Sequence, residues 1–225
     1  MYYRIIIYLG LSILASCSSA KMAMNPGLEV NSDKFQISQR PAAFTGGDLV
    51  FGPYKATKIS RGFIKSSSWD IAVYGSEKSG QNYSYYFNGK GSWTGECKVA
   101  TGNINLSIIS AGYYADINCR FLPVDSASAT ESGWKFSIKG ETSGTAEGHI
   151  SVGSKIIEVA AIDKIEGSSL RMSQHTGYYF YADGDIVAGV DTISKEGPVW
   201  LNKNLSRDEK DIIGLVVVAL LLNQV

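Results

Sequence analysis

The chain holds few side chains suited to bond-making chemistry, and their spacing limits what they can do. Two histidines, His149 and His175, and three cysteines, Cys17, Cys97 and Cys119, are all its imidazoles and thiols. Neither histidine has a second ligand at His-x-His or helical spacing, so no zinc site is expected. With no catalytic pattern around either in the sequence, each reads as a surface or turn residue rather than a general base. No Gly-x-Ser-x-Gly elbow and no Ser-x-x-Lys at a helix start presents a nucleophile. Asp183-Gly184-Asp185 lacks the ligand rhythm and closing glutamate of a calcium loop, and reads as a hairpin turn. A glycosidase needs two carboxylates at a set separation. Asp70, Asp116, Glu131, Glu158 and Asp163 are the candidates, but a strand-rich surface scatters carboxylates in any case. The sequence therefore assigns no catalytic residue, no metal and no cofactor, and predicts a protein that is not an enzyme.

Cys17 stands in a different context. It follows one early basic residue, Arg4, and an apolar run from Ile5 to Leu14, the makeup of a secretory signal rather than of a spanning helix. Leu14-Ala15-Ser16-Cys17 resembles the lipobox of bacterial lipoproteins, in which the thiol is acylated and the chain is cut just before it. The resemblance implies a signal peptide over residues 1–16 and lipid attachment at Cys17. Ser18 after the cysteine, with no Asp there, resembles an outer-membrane address in a Gram-negative cell. Residues 17–33 are small and polar with Pro26-Gly27 and read as a tether; residues 34–225 read as the folded domain. With Cys17 assigned to lipid, Cys97 and Cys119 remain as an even pair in an oxidising compartment, where a disulfide is expected. Closing a loop of about 23 residues stabilises by roughly 3 kcal/mol. Turn signals at Thr101-Gly102-Asn103 and Ala111-Gly112 lie between them, so their strands need not be neighbours.

Charge excludes some partners. The chain has 21 basic and 21 acidic residues; without Arg4 the balance is about −1, so there is no basic field to draw in nucleic acid. About 200 residues suffice for one domain with a sizeable core.

From Lys34 onward the pattern alternates with period two, which predicts a mainly β domain. Expected strands include Leu49–Phe51, Tyr54–Ile64, Trp69–Tyr74, Trp93–Ala100, Ile104–Ile109, Ile156–Ile162, Ser168–Gln174 and Tyr178–Tyr181. Aromatic clusters at Tyr83–Phe87, Tyr113-Tyr114 and Tyr178–Tyr181 are explained by strand propensity and cross-strand pairing before any binding role. The one strong helix, 207–223, comes last. Ser206 and Glu209 form a capping box, and Ile212–Leu222 has no polar residue. A helix apolar all round lies in a membrane or inside protein. Eleven residues rise about 17 Å against roughly 30 Å of hydrocarbon, so this helix is too short to span. Strands wrapped into a closed barrel cover it on every side and leave no open sheet edge.

The tail Asp185-Ile186-Val187-Ala188-Gly189-Val190, then Gly197-Pro198-Val199-Trp200-Leu201-Asn202, then Leu205-Ser206 and the apolar helix, resembles the C-terminal end of tubby-like domains. That superfamily includes tubby, phospholipid scramblases and LURP-one-related proteins. The resemblance implies a closed antiparallel barrel of about twelve strands around a central hydrophobic C-terminal helix. No phosphoinositide-binding residue of tubby has a counterpart here, so none is carried over. The expected role is non-catalytic binding or scaffolding by a lipid-anchored protein of the bacterial cell envelope, at the outer membrane, with an envelope protein, glycan or lipid as partner. The alternatives are an envelope hydrolase, or a lipid carrier plugged by its terminal helix.

Overall fold

The structure, a computed structural model, describes residues 20–41, 47–71, 74–106, 109–124, 133–141, 146–152 and 155–223. Among the described residues thirteen antiparallel strands form one sheet. They are β1 (Ser32–Gln39), β2 (Leu49–Phe51), β3 (Tyr54–Arg61), β4 (Lys65–Ile71), β5 (Tyr74–Asn88), β6 (Ser92–Leu106) and β7 (Ile109–Pro123). The rest are β8 (Trp134–Glu141), β9 (Ala146–Val152), β10 (Lys155–Ile162), β11 (Gly177–Ala182), β12 (Asp185–Asp191) and β13 (Pro198–Asn202). Two pairings outside the meander close the ring: β1 with β13, and β3 with β5. Twelve strands make the barrel. The thirteenth, β4, pairs with the first half of β5 and stands outside the ring.

Helix α2 (Arg207–Asn223) runs through the middle, and every side chain from Asp211 to Leu222 is buried. Alternate residues of the strands face it. Tyr83, Tyr85 and Phe87 point in, and the two tyrosine hydroxyls donate to the carbonyls of Ala219 and Leu215 at 2.8 and 2.7 Å. A Cβ at Gly214 would lie 2.8 Å from Phe87 Cζ, which explains a glycine where a helix otherwise disfavours one. The Ser206–Glu209 capping box is made in both directions: Ser206 N donates to Glu209 at 2.8 Å, and Glu209 N to Ser206 Oγ at 3.3 Å. Asp211 in the first turn accepts from Lys90 N and Gly91 N, tying the β5–β6 turn to the helix start. At the other end Arg40 donates to the Leu221 carbonyl and Arg61 to that of Leu222.

Several expectations are corrected. Thr101-Gly102-Asn103 is not a turn: β6 runs straight through it, so Trp93–Ala100 and Ile104–Ile109 are not separate strands. Continuous pairing on both flanks outweighs the local turn preference. Trp69–Tyr74 is not one strand either, since Ile71 ends β4 and Tyr74 begins β5. Ser168–Gln174 lies in the β10–β11 connection, where Arg171 makes only an isolated bridge to Lys164. At Asp183-Gly184 the expected turn is present, with φ of 53° and 87°.

The tether read over residues 17–33 is, from Ala20 onward, packed chain. Met22 and Leu28 are buried against Trp200 on the outer face of β11–β13, in a small second core. Helix α1 (Pro26–Asn31) is capped by Asn25 and leads directly into β1 at Ser32. Glycines at 177 and 189 leave the hollows that Met22 and Leu28 fill. Tyr179 donates to the Ala23 carbonyl at 2.8 Å, and burial beneath this strap pushes its hydroxyl up to about 12. The small polar composition conceals two anchoring side chains. Cys17 and the signal segment, residues 1–16, lie outside the described residues.

Candidate functional site

Because α2 fills the barrel, a ligand meets this domain on its outer wall. One open groove there, of about 780 Å³, runs across β5–β9 and is reached also by Ser60 and Gly62. Its lining follows from register. On one row Ser84, Glu96, Arg120, Lys135 and Ser151 stand opposite one another from β5 to β9. On the next outward row are Asn82, Lys98, Asn118, Ser137 and His149, continued on β10 by Glu158. Between these rows, facing inward, run Tyr83, Cys97, Cys119, Phe136 and Ile150. Period-two alternation thus puts a polar wall directly behind an apolar one.

Cys97 and Cys119 are bonded, and their Cα atoms are 4.1 Å apart. They are direct cross-strand partners on β6 and β7, closer than the roughly 4.4 Å lower bound usual for disulfides. Two inward positions meeting side by side account for the close approach. The bond backs the floor of the groove.

Arg120, Lys98 and Lys135 supply three cations, against the single carboxylate Glu96 in the lining. Among the described residues none of these cations makes an ion pair, although Glu96 stands directly opposite Arg120. The amides of Asn82 and Asn118 add donors and acceptors.

His149 lies in the groove, whereas His175 sits outside it, edge-on to Tyr178. Ser137, His149 and Glu158 are consecutive on one outward row, the order a proton relay would use. No hydrogen bond joins them among the described residues. Of the other carboxylates, Asp163 pairs with Arg171 at 3.5 Å, and Asp116 stands opposite Lys139 on β8. Glu131 lies outside the described residues, as do the side chains of Asp70, Tyr113 and Tyr114. Among the described residues no three of His, Cys, Asp and Glu come together as a metal-holding group.

The aromatic clusters divide by alternation. Tyr83, Tyr85, Phe87, Tyr178 and Phe180 are core, while Tyr86 faces outward beneath the Lys58 ammonium at 4.4 Å. Residues that sequence reasoning passed over include Asp191, a buried carboxylate that accepts from the backbone of Met22, Ile193 and Ser194. Its nearby partners follow the Asp-x-x-Ser spacing of a side-chain turn. The Met22 contact spans 169 residues and leaves no local signal. Comparison with protein-family models, with curated proteins and with solved structures finds no match in any of the three.

Proposed function

We propose that this chain is a lipid-anchored protein of the bacterial cell envelope, held at the outer membrane through Cys17. Its barrel binds a polar, negatively charged envelope ligand in the outer groove without turning it over. The observation that carries this reading is the set of three cations, Lys98, Arg120 and Lys135, on a concave wall with no ion pair to any of them among the described residues. Anionic groups of a glycan or peptide satisfy such a set by charge-assisted hydrogen bonds. The ring closed around a C-terminal helix supports kinship with tubby-like domains at the level of architecture, and an architecture by itself names no ligand.

The helix argues against the carrier reading, since vacating the barrel would expose the whole buried stretch from Asp211 to Leu222. The row Ser137–His149–Glu158 is the best geometric case for the hydrolase.

Saturable binding of the anchor-free domain to an array of acidic glycans and peptides tests the proposal. Lys98→Glu with Arg120→Glu is expected to abolish binding while leaving the melting temperature within a few degrees. Binding unchanged by that double reversal, or no binding to any acidic ligand, contradicts it. Turnover of a glycan that His149→Ala stops would replace the binding reading with the hydrolase. The anchor is tested separately: intact mass of membrane-extracted protein should show acyl chains on Cys17, and Cys17→Ala should leave the chain uncut or released.

A further inference from the structure

Residues 20–31 hold to the outside of the barrel without joining any strand of the ring. The pairings from β10 through β13 to β1 use no residue before Ser32, and Met22 bridges only Ile165 in the β10–β11 connection. The strap's main bonds gather over four residues. Ser194 Oγ donates to the Ala20 carbonyl, Glu166 N to that of Lys21 and the Tyr179 hydroxyl to that of Ala23. In return Ala23 N donates to the Lys164 carbonyl and Met22 N to the Asp191 carboxylate. Opening this set leaves every ring pairing intact, the condition for a local motion that stops short of unfolding.

Docking also carries a cost. Trp200, packed with Met22 and Leu28, is 4% exposed, and its indole N–H has no hydrogen-bond partner among the described residues. A buried donor left unpaired is unfavourable, and lifting the strap lets water reach it. Against that cost, Met22 and Leu28 are the side chains of residues 20–31 that are fully buried. Met22 is also the one that oxidation would unseat. A Cβ on Gly177 would overlap both the Met22 sulfur and the Val190 carbonyl oxygen, so the hollow has no room there for a further atom. Methionine sulfoxide is polar as well as larger. At 1% exposure the thioether meets an oxidant only once the strap has lifted.

We propose that residues 20–31 lift from the closed barrel as a unit, and that oxidation of Met22 to the sulfoxide holds them off. A peroxide gives one oxygen atom to the thioether: its O–O bond breaks, an S–O bond forms, sulfur is oxidised and water leaves. The sulfoxide cannot return to the hollow, and the face carrying Trp200 and Tyr179 stays bare. For a chain lipidated at Cys17, the leash then lengthens from the three residues before Ala20, at most about 11 Å, to the fifteen before Ser32, roughly 50 Å. The lifting itself needs no lipid on Cys17.

Amide exchange read by mass spectrometry, before and after hydrogen peroxide, tests this on the chain from Ser18, which carries the strap and every strand of the ring. Before oxidation the amides of Met22 and Ala23 should exchange at least about tenfold faster than those of β11 and β12. Afterwards Met22 should carry one added oxygen, and the strap amides should exchange about tenfold faster again, while β11 and β12 keep their protection. Met22→Leu, which keeps an apolar side chain for the hollow, should abolish the response to peroxide, and Met24→Leu should leave it. Strap amides that exchange in step with β11 and β12 would overturn the proposal, since the strap would then open only with the ring. So would a Met22 that stays unoxidised in the folded chain at a peroxide level that oxidises it in denaturant. A Met22 sulfoxide with unchanged strap protection, as when the Trp200 N–H takes the new oxygen, overturns it too, as does a response that survives Met22→Leu.

Discussion

The Cys97–Cys119 bond ties the two strands that carry most of the groove's cations, Lys98 on one and Arg120 on the other. Reduction, or Cys97→Ala with Cys119→Ala, is expected to lower stability by roughly 3 kcal/mol. Denaturant melts with and without reductant measure it, and identical midpoints would contradict a structural role. At the helix start, the hydrogen bond from Lys155 holds the Glu209 carboxyl below the usual carboxylate range, helped by Ser206 and opposed by burial. A carboxyl depressed in the fold contributes stability above its unfolded value of about 4.5 and loses it as pH falls through the folded value. Glu209→Gln keeps an acceptor for Ser206 N and removes that titration, so its melting temperature should fall less steeply below about pH 4.5 than that of the native chain. Parallel slopes would show that Glu209 does not contribute. At this scale the sequence was readable where partners are neighbours. The capping box lies within four residues, and the even pair of cysteines follows from counting. The contacts of Arg40 with Leu221 and of Asp191 with Met22 were not readable, because those partners stand more than 150 residues away.

Helix α2 was the most legible element, since its lack of any wet face leaves few environments open to it. What the pattern did not contain is how each end is closed. Burial lowers the basicity of Arg40 and Arg61, and each also donates to a carbonyl of the last turn. Arg40→Ala leaves a buried carbonyl without this donor and should cost about 1–3 kcal/mol; an unchanged chemical-denaturation midpoint would mean water replaces it. Gly214 gives a sharper test. Alanine would normally gain a helix about 1 kcal/mol, yet here its Cβ meets Phe87. Gly214→Ala is expected to destabilise, and Phe87→Leu in the same chain to recover part of the loss; a more stable Gly214→Ala would refute the close packing. Strand limits were harder to read than the helix. Local turn chemistry at Thr101–Asn103 competes with pairing on both flanks, and pairing partners are invisible in a single sequence. The strap was misread for a related reason: Met22 and Leu28 are isolated in polar chain, and the hollows that receive them are glycines far along the sequence.

At the scale of the whole molecule, a ring of twelve strands closes around its own C-terminal helix. That closure fills the inside and leaves the outer groove as the surface for the binding proposed here. The architecture was legible from one wholly apolar helix too short for a membrane and a chain otherwise made of strands. The groove was not legible, because it is made by register across five strands rather than by any motif. The closure stands or falls with Val217, which lies at the middle of α2 with no exposed surface. Val217→Asp would place a charge where no water reaches, a cost of several kcal/mol at least. Thermal melting of the anchor-free domain carrying this substitution is the most direct measurement. A helix at the barrel's core predicts no cooperative transition and no native near-ultraviolet circular dichroism; melting like the native chain, with only lipid affinity reduced, would mean that the helix docks on membranes and does not form that core.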